Sequence, residues 1–160
     1  MDALEHLAAL IDATWFGEGL SPLSRTHLAA AAREYRAPAG TRLLREGDET
    51  RELSLLIHGR VALSEHVPGR GSVTLMTVEP GDIFGWTALV SPFLATSTVM
   101  ATDAVHILAF DGAKLRAAIR ADVELAAGVY EQVLEAVSRR LLATRQQLLD
   151  LYRSDTVDPW

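Results

Sequence analysis

The sequence predicts a mainly β domain, a small barrel or jelly roll, with helices flanking it at both ends. Three observations carry this. Short apolar stretches recur at roughly ten-residue spacing between Leu43 and Phe110, each cut off by glycine, proline or a polar turn. Helical periodicity brackets that region, at Leu4, Leu7, Leu10 and Ile11 before it and from Leu134 onward after it. At 160 residues the chain is long enough for one buried core and too short for two ordinary domains.

The elements follow in order. The first dozen residues form a short amphipathic helix. Ser21 and Pro22 supply an N-cap and a proline at the first helical position of a second helix. Leu23, Leu28, Ala31 and Ala32 continue that helix to Tyr35, so residues 1–35 read as a helical lid. Residues 36–110 are the strand region. Ala37 to Thr41 is a turn, and Leu43-Leu44 is a short strand ending at Glu46-Gly47-Asp48. The stretch from Glu52 to Leu63 is strand-rich but broken at His58-Gly59 by a tight turn or bulge. Pro68 to Gly71 is a loop tip, and Val73, Leu75 and Thr77 alternate along the strand that follows. Thr96 to Met100 and Val105 to Phe110 supply two more strands. Residues 111–152 return to helix: a short one from Asp111 through Ile119, then a long one from about Asp122 to Tyr152. Residues 153–160 read as a loose tail.

Within the long helix, Leu134, Val137, Leu141, Thr144, Leu148 and Leu151 fall at alternating steps of three and four. That is a heptad seam, and it calls for a partner helix. A homodimer is the expected partner. Leu142 and Leu149 widen the stripe, which predicts that part of the helix also packs on its own barrel.

Composition narrows the function. About half the residues are apolar (49%) and 22% are charged, the balance of a globular protein. A net charge of −6 argues against DNA, whose binding needs a clustered basic surface. Cysteine is absent, which removes disulfides, Cys-based zinc sites and iron–sulfur clusters. The acidic start, Met1 to His6, is unlike a signal peptide, and no apolar run reaches the ~20 residues of a membrane span. A cytoplasmic protein with no membrane partner is the expectation.

The most informative stretch is Gly81 to Val90. It reads as a glycine-hinged turn opening a short helix, a geometry that suits an anion and a phosphate above all. Yet from Ile83 to Asp103 there is no Arg, Lys or Glu to grip that anion or a sugar hydroxyl beside it.

Other chemistries find little support. His58, His66 with Glu65 beside it, and His106 do not have the spacing of a facial metal site, so no metal is expected and a cupin-type metal enzyme ranks last. No serine lies in a Gly-x-Ser-x-Gly context, and no P-loop or catalytic residue is identified. Glu131, Glu135 and Arg139, four apart, read as a solvated ion-pair face.

Pro38 to Thr41, Glu46 to Asp48, Leu56 to Val61 and Glu79 to Gly85 follow one another in the order and spacing of cyclic nucleotide-binding domains. The likeness is greatest to the sensor half of bacterial catabolite activator and fumarate–nitrate regulators. Arg139-Arg140-Leu141 resembles the opening of their dimerisation helix. The resemblance implies a β-roll with helices at both ends and a ligand gripped by a phosphate-binding cassette, here between Phe84 and Thr98. By that resemblance Phe84, Gly85, Trp86, Thr87, Ala88 and Leu89, with Ala95, Thr96 and Ser97, occupy the cassette. Trp86 stands where the family has the glutamate that meets the ribose, and Ala95 where it has the arginine that pairs with the phosphate. Thr144 lines up with the threonine that meets the purine.

Losing one partner of a buried charge pair costs ~2–5 kcal/mol, and losing the ribose acceptor a further ~1–3 kcal/mol. The expectation is therefore a non-enzymatic regulatory module with a degenerate cassette, taking cAMP, cGMP or another small molecule. Trp86 either fills a closed pocket, lines a pocket for a more apolar molecule, or leaves cyclic nucleotide binding to the backbone. A ligand-free dimer that binds a protein partner is the alternative. The family's regulators continue into a helix-turn-helix, whereas this sequence ends at Trp160, so DNA reading by that route is not expected.

Overall fold

A computed structural model describes residues 1–154 of the protein. Three short helices come first: α1 (Ala3–Asp12), α2 (Trp15–Glu18) and α3 (Pro22–Ala30). Eight strands follow: β1 (Ala32–Ala37), β2 (Arg42–Leu44), β3 (Glu52–His58), β4 (Val61–Val67), β5 (Gly71–Val78), β6 (Ile83–Phe84), β7 (Thr98–Ala101) and β8 (Val105–Asp111). A 3-10 turn, Trp86–Leu89, lies between β6 and β7. Two helices end the described residues, α4 (Gly112–Ala121) and α5 (Val123–Ser154).

The strands form two four-stranded sheets, ordered β1-β8-β3-β6 and β2-β7-β4-β5. All their pairings are antiparallel. The mainly β architecture with flanking helices is therefore present. His58-Gly59 is indeed a break, but it passes the chain from one sheet to the other. Gly59 adopts a φ of 85°, and a Cβ there would sit 2.3 Å from the carbonyl oxygen of Ala104. Only glycine fits that turn.

Two apolar clusters hold the layers together. Leu56, Val61, Leu63, Val78, Phe84, Val99, Ala101, Val105 and Ile107 fill the roll. On the outer face of the first sheet, Leu53, Leu55, Leu108 and Phe110 meet Ile11, Phe16, Leu28, Leu115, Leu125 and Val129 of the helices. Strand β8 thus alternates between the two, with Val105 and Ile107 inward and Leu108 and Phe110 toward the helices. Buried on both faces, it reads as a nearly continuous apolar run.

Caps behave as the sequence dictates. Ser21 Oγ accepts from Ser24 N ahead of Pro22, and Asp2 with Glu5 completes a capping box on α1. Thr14 caps the four-residue α2, an element the sequence reading missed. Gln132 on α5 donates from Nε2 to the carbonyls of Trp15 (3.1 Å) and Phe16 (3.0 Å), fastening the long helix to α2.

Three expectations need correction. Residues 32–35 are strand, not helix, because six consecutive residues of β1 pair with β8, from Ala32 opposite Phe110 to Ala37 opposite Val105. That ladder outweighs the helical preference of Ala32, Arg33 and Glu34. Leu142 and Leu149 do not pack on the roll: they are 67% and 53% exposed. Arg153 and Ser154 continue α5 instead of opening a tail; the rest of the expected tail, 155–160, lies outside the described residues.

Candidate functional site

The site is built where β6 leaves the sheet. Strand β6 pairs with β3 at Ser54 and Leu55, which places Phe84 over the core at 3% exposure. Gly85 then turns left-handed, φ 74°, and a Cβ there would lie 2.7 Å from the Glu52 carbonyl oxygen. The 3-10 turn follows, closed by Ala88 N to Gly85 O (3.1 Å) and Val90 N to Thr87 O (3.2 Å). The amides of Trp86 and Thr87, its first two residues, have no acceptor within so short a helix.

A hollow opens beside this turn, lined by Phe84, Gly85, Trp86, Thr87, Thr96 and Ser97. Leu44, Leu63 and Val99 form its apolar part. Six predicted site residues thus come together. Ala88, Leu89 and Ala95 do not reach the hollow. Ala88 is fully buried, its carbonyl accepting from Arg116 Nη1 at 2.6 Å. Leu89 packs partly buried against the helical core. Ala95 is held by backbone bonds to Gly47 and Asp48. Thr144 is also elsewhere: it is exposed on α5, and its hydroxyl donates to the Arg140 carbonyl one turn back.

The hydroxyls in and beside the cassette have partners, with one exception. Thr87 Oγ1 donates to Thr50 Oγ1 at 2.7 Å in the interior, so it points away from any ligand. Thr98 Oγ1 accepts from Glu46 N, and Ser97 Oγ lies 3.5 Å from Glu65 Oε1. Thr96 is exposed and has no hydrogen-bond partner among the described residues. Trp86 is half-buried, its ring packed against the helical core while it borders the hollow. The free space is about 20 Å³, enough for one water.

One wall of the hollow was not foreseen. Arg140, from α5, lines it. Its side chain is 13% exposed, and neither Nη1 nor Nη2 has a hydrogen-bond partner among the described residues. The nearest carboxylate oxygen, Asp82 Oδ1, is 3.7 Å from Nη2 and already accepts from Ile83 N at 2.7 Å. Burial pulls the Arg140 pKa below the ordinary arginine value, against the opposing attraction of Asp82. The stretch from Ile83 to Asp103 does lack Arg and Lys, but the hollow it shapes is lined by a cation from elsewhere. The cation arrives from a helix more than forty residues downstream. A signal existed: Val129, Val133, Ala136 and Arg140 run at steps of four, three and four, and the first three are buried. Arg140 continues the inward face of α5, while Arg139 faces outward, stacked 4.2 Å over Trp15 and 2.9 Å from Glu135.

The seam residues separate from the site. Leu134, Leu141, Leu148 and Leu151 are 54–69% exposed, Thr144 is exposed too, and Val137 is partly buried against the helical core. Among the described residues no three potential metal-ligating side chains cluster, and no helix is long and apolar enough to cross a membrane.

Comparison with known proteins agrees with this geometry. Residues 34–122 match the family model of the cyclic nucleotide-binding domain. A CRP-like cAMP-activated global transcriptional regulator of Mycobacterium tuberculosis is 27% identical over 138 residues, covering 86% of this chain and 60% of the regulator. The structure of a cAMP-binding acyltransferase from Mycobacterium smegmatis superposes with a TM-score of 0.71 at 27% identity, over 89% of this chain and 43% of that one. A cyclic nucleotide-binding domain from Methylobacillus flagellatus shares the fold, with a TM-score of 0.79 at 19% identity over 98% of this chain and 85% of that one. The chain thus spans under two thirds of the length of the regulator and of the acyltransferase.

Proposed function

The chain belongs to the cyclic nucleotide-binding domain family, and from that premise we propose that it is a non-enzymatic regulatory module with an altered cassette. Its roll senses a small ligand and its last helix pairs with a second copy. Transcriptional control and acyl transfer are activities of the larger relatives and are not carried over. The likeness to a transcriptional regulator favours a cytoplasmic setting. The observation that carries the reading is the double use of α5. One face of it closes the cassette hollow with Arg140, and another exposes Leu134, Leu141, Leu148 and Leu151. A ligand that favours one position of that helix would shift the dimer equilibrium by its difference in affinity for the two states.

The favoured ligand is a cyclic nucleotide, since the regulator it resembles is cAMP-activated. Calorimetry of the full chain with cAMP and cGMP tests this. Saturable heat with either nucleotide, and a changed dimer fraction on saturation, is the expected result. A second reading rests on Trp86 and the 20 Å³ hollow: a closed pocket in a dimer that serves a protein partner. It requires no heat and no thermal shift with either nucleotide, while the dimer persists.

A further inference from the structure

Arg140 is in an unstable arrangement for a cation. A guanidinium offers five N–H donors in a rigid fork and keeps its charge under nearly all conditions. Here both terminal nitrogens are removed from water and neither donates to any described residue. Asp82 is too far to accept a hydrogen bond, and one of its oxygens is already engaged by the Ile83 amide. A buried charge offset only by a carboxylate at 3.7 Å, with no hydrogen bond to it, is costly unless a hydrogen-bonded anion meets it. The hollow that receives it contains no other charged side chain: its remaining lining is Leu44, Leu63, Phe84, Gly85, Trp86, Thr87, Thr96, Ser97 and Val99.

We infer that Arg140 is the anion grip of this domain. It supplies from the long helix the positive charge that the cassette itself lacks, and the hollow takes an oxyanion of phosphate type through that guanidinium. The inference rests on the proposed ligand-sensing role and makes it specific. A planar fork suits two oxygens of one phosphoryl group, in a bidentate contact that a point charge does not reproduce. Thr96, exposed at the rim without a partner, is placed to add a hydroxyl donor. Because the free space holds about one water, an anion of this size enters only if a lining side chain gives way. Arg140 is the one lining residue on α5. Anion binding therefore acts directly on the helix that carries the exposed leucines.

The chemistry has two sources, a free inorganic phosphate or the phosphodiester of a cyclic nucleotide, and one experiment separates them. Melting temperature and calorimetric affinity are measured for the full chain with sodium phosphate, at ionic strength matched by chloride, and with cAMP. Wild type is compared with Arg140→Met, Arg140→Gln and Arg139→Ala. Phosphate also stabilises proteins by exclusion from their surface, so the difference between variants is the readout.

The expected result is saturable binding by wild type and by Arg139→Ala, weakened at least tenfold in Arg140→Met and Arg140→Gln. Arg140→Met without added anion should melt higher than wild type, since it removes a buried charge that has no hydrogen-bonded acceptor and only the Asp82 carboxylate at 3.7 Å to offset it; a simple packing role would lower it. Phosphate binding that depends on Arg140, with no response to cAMP, supports the grip and sinks the cyclic nucleotide reading. Binding of cAMP at equal strength in wild type and both Arg140 variants overturns the grip and leaves the sensor reading standing. No saturable response of wild type to either anion overturns the inference outright. If Arg140→Met does not fold, Arg140→Gln, polar and neutral, decides by the same comparison.

Discussion

Arg140 and Trp86 show how single side chains redistribute a site's chemistry. Trp86 brings an uncharged indole to the hollow, and Arg140 lies there without a hydrogen-bonded acceptor. Gly85 shapes the same hollow through its backbone. It has a φ of 74°, and a Cβ would stand 2.7 Å from the Glu52 carbonyl oxygen, part of the strand that β6 pairs with. Gly85→Ala therefore combines left-handed strain with a backbone clash, and should destabilise the fold by about 1–3 kcal/mol. Urea denaturation would read this directly, and a midpoint within error of wild type would contradict it.

At the scale of elements, α5 carries the argument. With 32 residues it extends about 48 Å at 1.5 Å per residue. Its first half is fastened by Leu125, Val129, Gln132, Val133 and Ala136, all buried. Beyond Arg140 every residue from 141 to 154 is exposed, and the helix touches the roll through Gln147, whose Nε2 donates to the Leu75 carbonyl at 2.8 Å. This exposed leucine-rich length is the face on which the proposed pairing with a second copy rests. Leu141→Glu places a charge in that surface and removes nothing from the core of the single chain. It should weaken self-association at least about 100-fold, a change of roughly 2.7 kcal/mol. Light scattering after gel filtration should show the mass of one chain, with helicity by circular dichroism retained. A dimer unaffected by the charge would move the interface elsewhere.

Across the whole molecule, polar ties join the helices to the roll. Glu34 on β1 accepts from His106 Nε2 on β8 and lies 3.3 Å from His6 Nε2 on α1, so one carboxylate links three elements. Burial works to raise the Glu34 pKa, but the hydrogen bonds and charge of the two histidines outweigh it and hold it below the ordinary 4.5. A carboxylate with a depressed folded pKa contributes stability above its unfolded value and loses it as pH falls through the folded one. Glu34→Gln should therefore be less stable than wild type at pH 6, with the gap closing as pH drops below about 4.5. Paired denaturation curves across that range check the sign. A gap that widens toward acid would show that the histidines do not stabilise the charge.

Much of this was legible from local signals. The helix starts at Ser21 and Asp111, the break at His58-Gly59, the glycine-hinged turn within Gly81 to Val90 and the seam leucines of α5 follow from backbone sterics, capping and periodicity, which act within a few residues. The four ordered motifs between Pro38 and Gly85 sufficed to place the chain in its family. Tertiary structure decided the rest. It made residues 32–35 a strand, because their partners sit more than seventy residues away on β8. It turned the Thr87 hydroxyl inward to Thr50 and left Leu142 and Leu149 in water. Above all it brought Arg140 into the cassette hollow, since the direction of a helix past a sheet is set by packing between distant residues. The sequence determined that the cassette lacks its own cation; the approach of α5 across the roll supplied one.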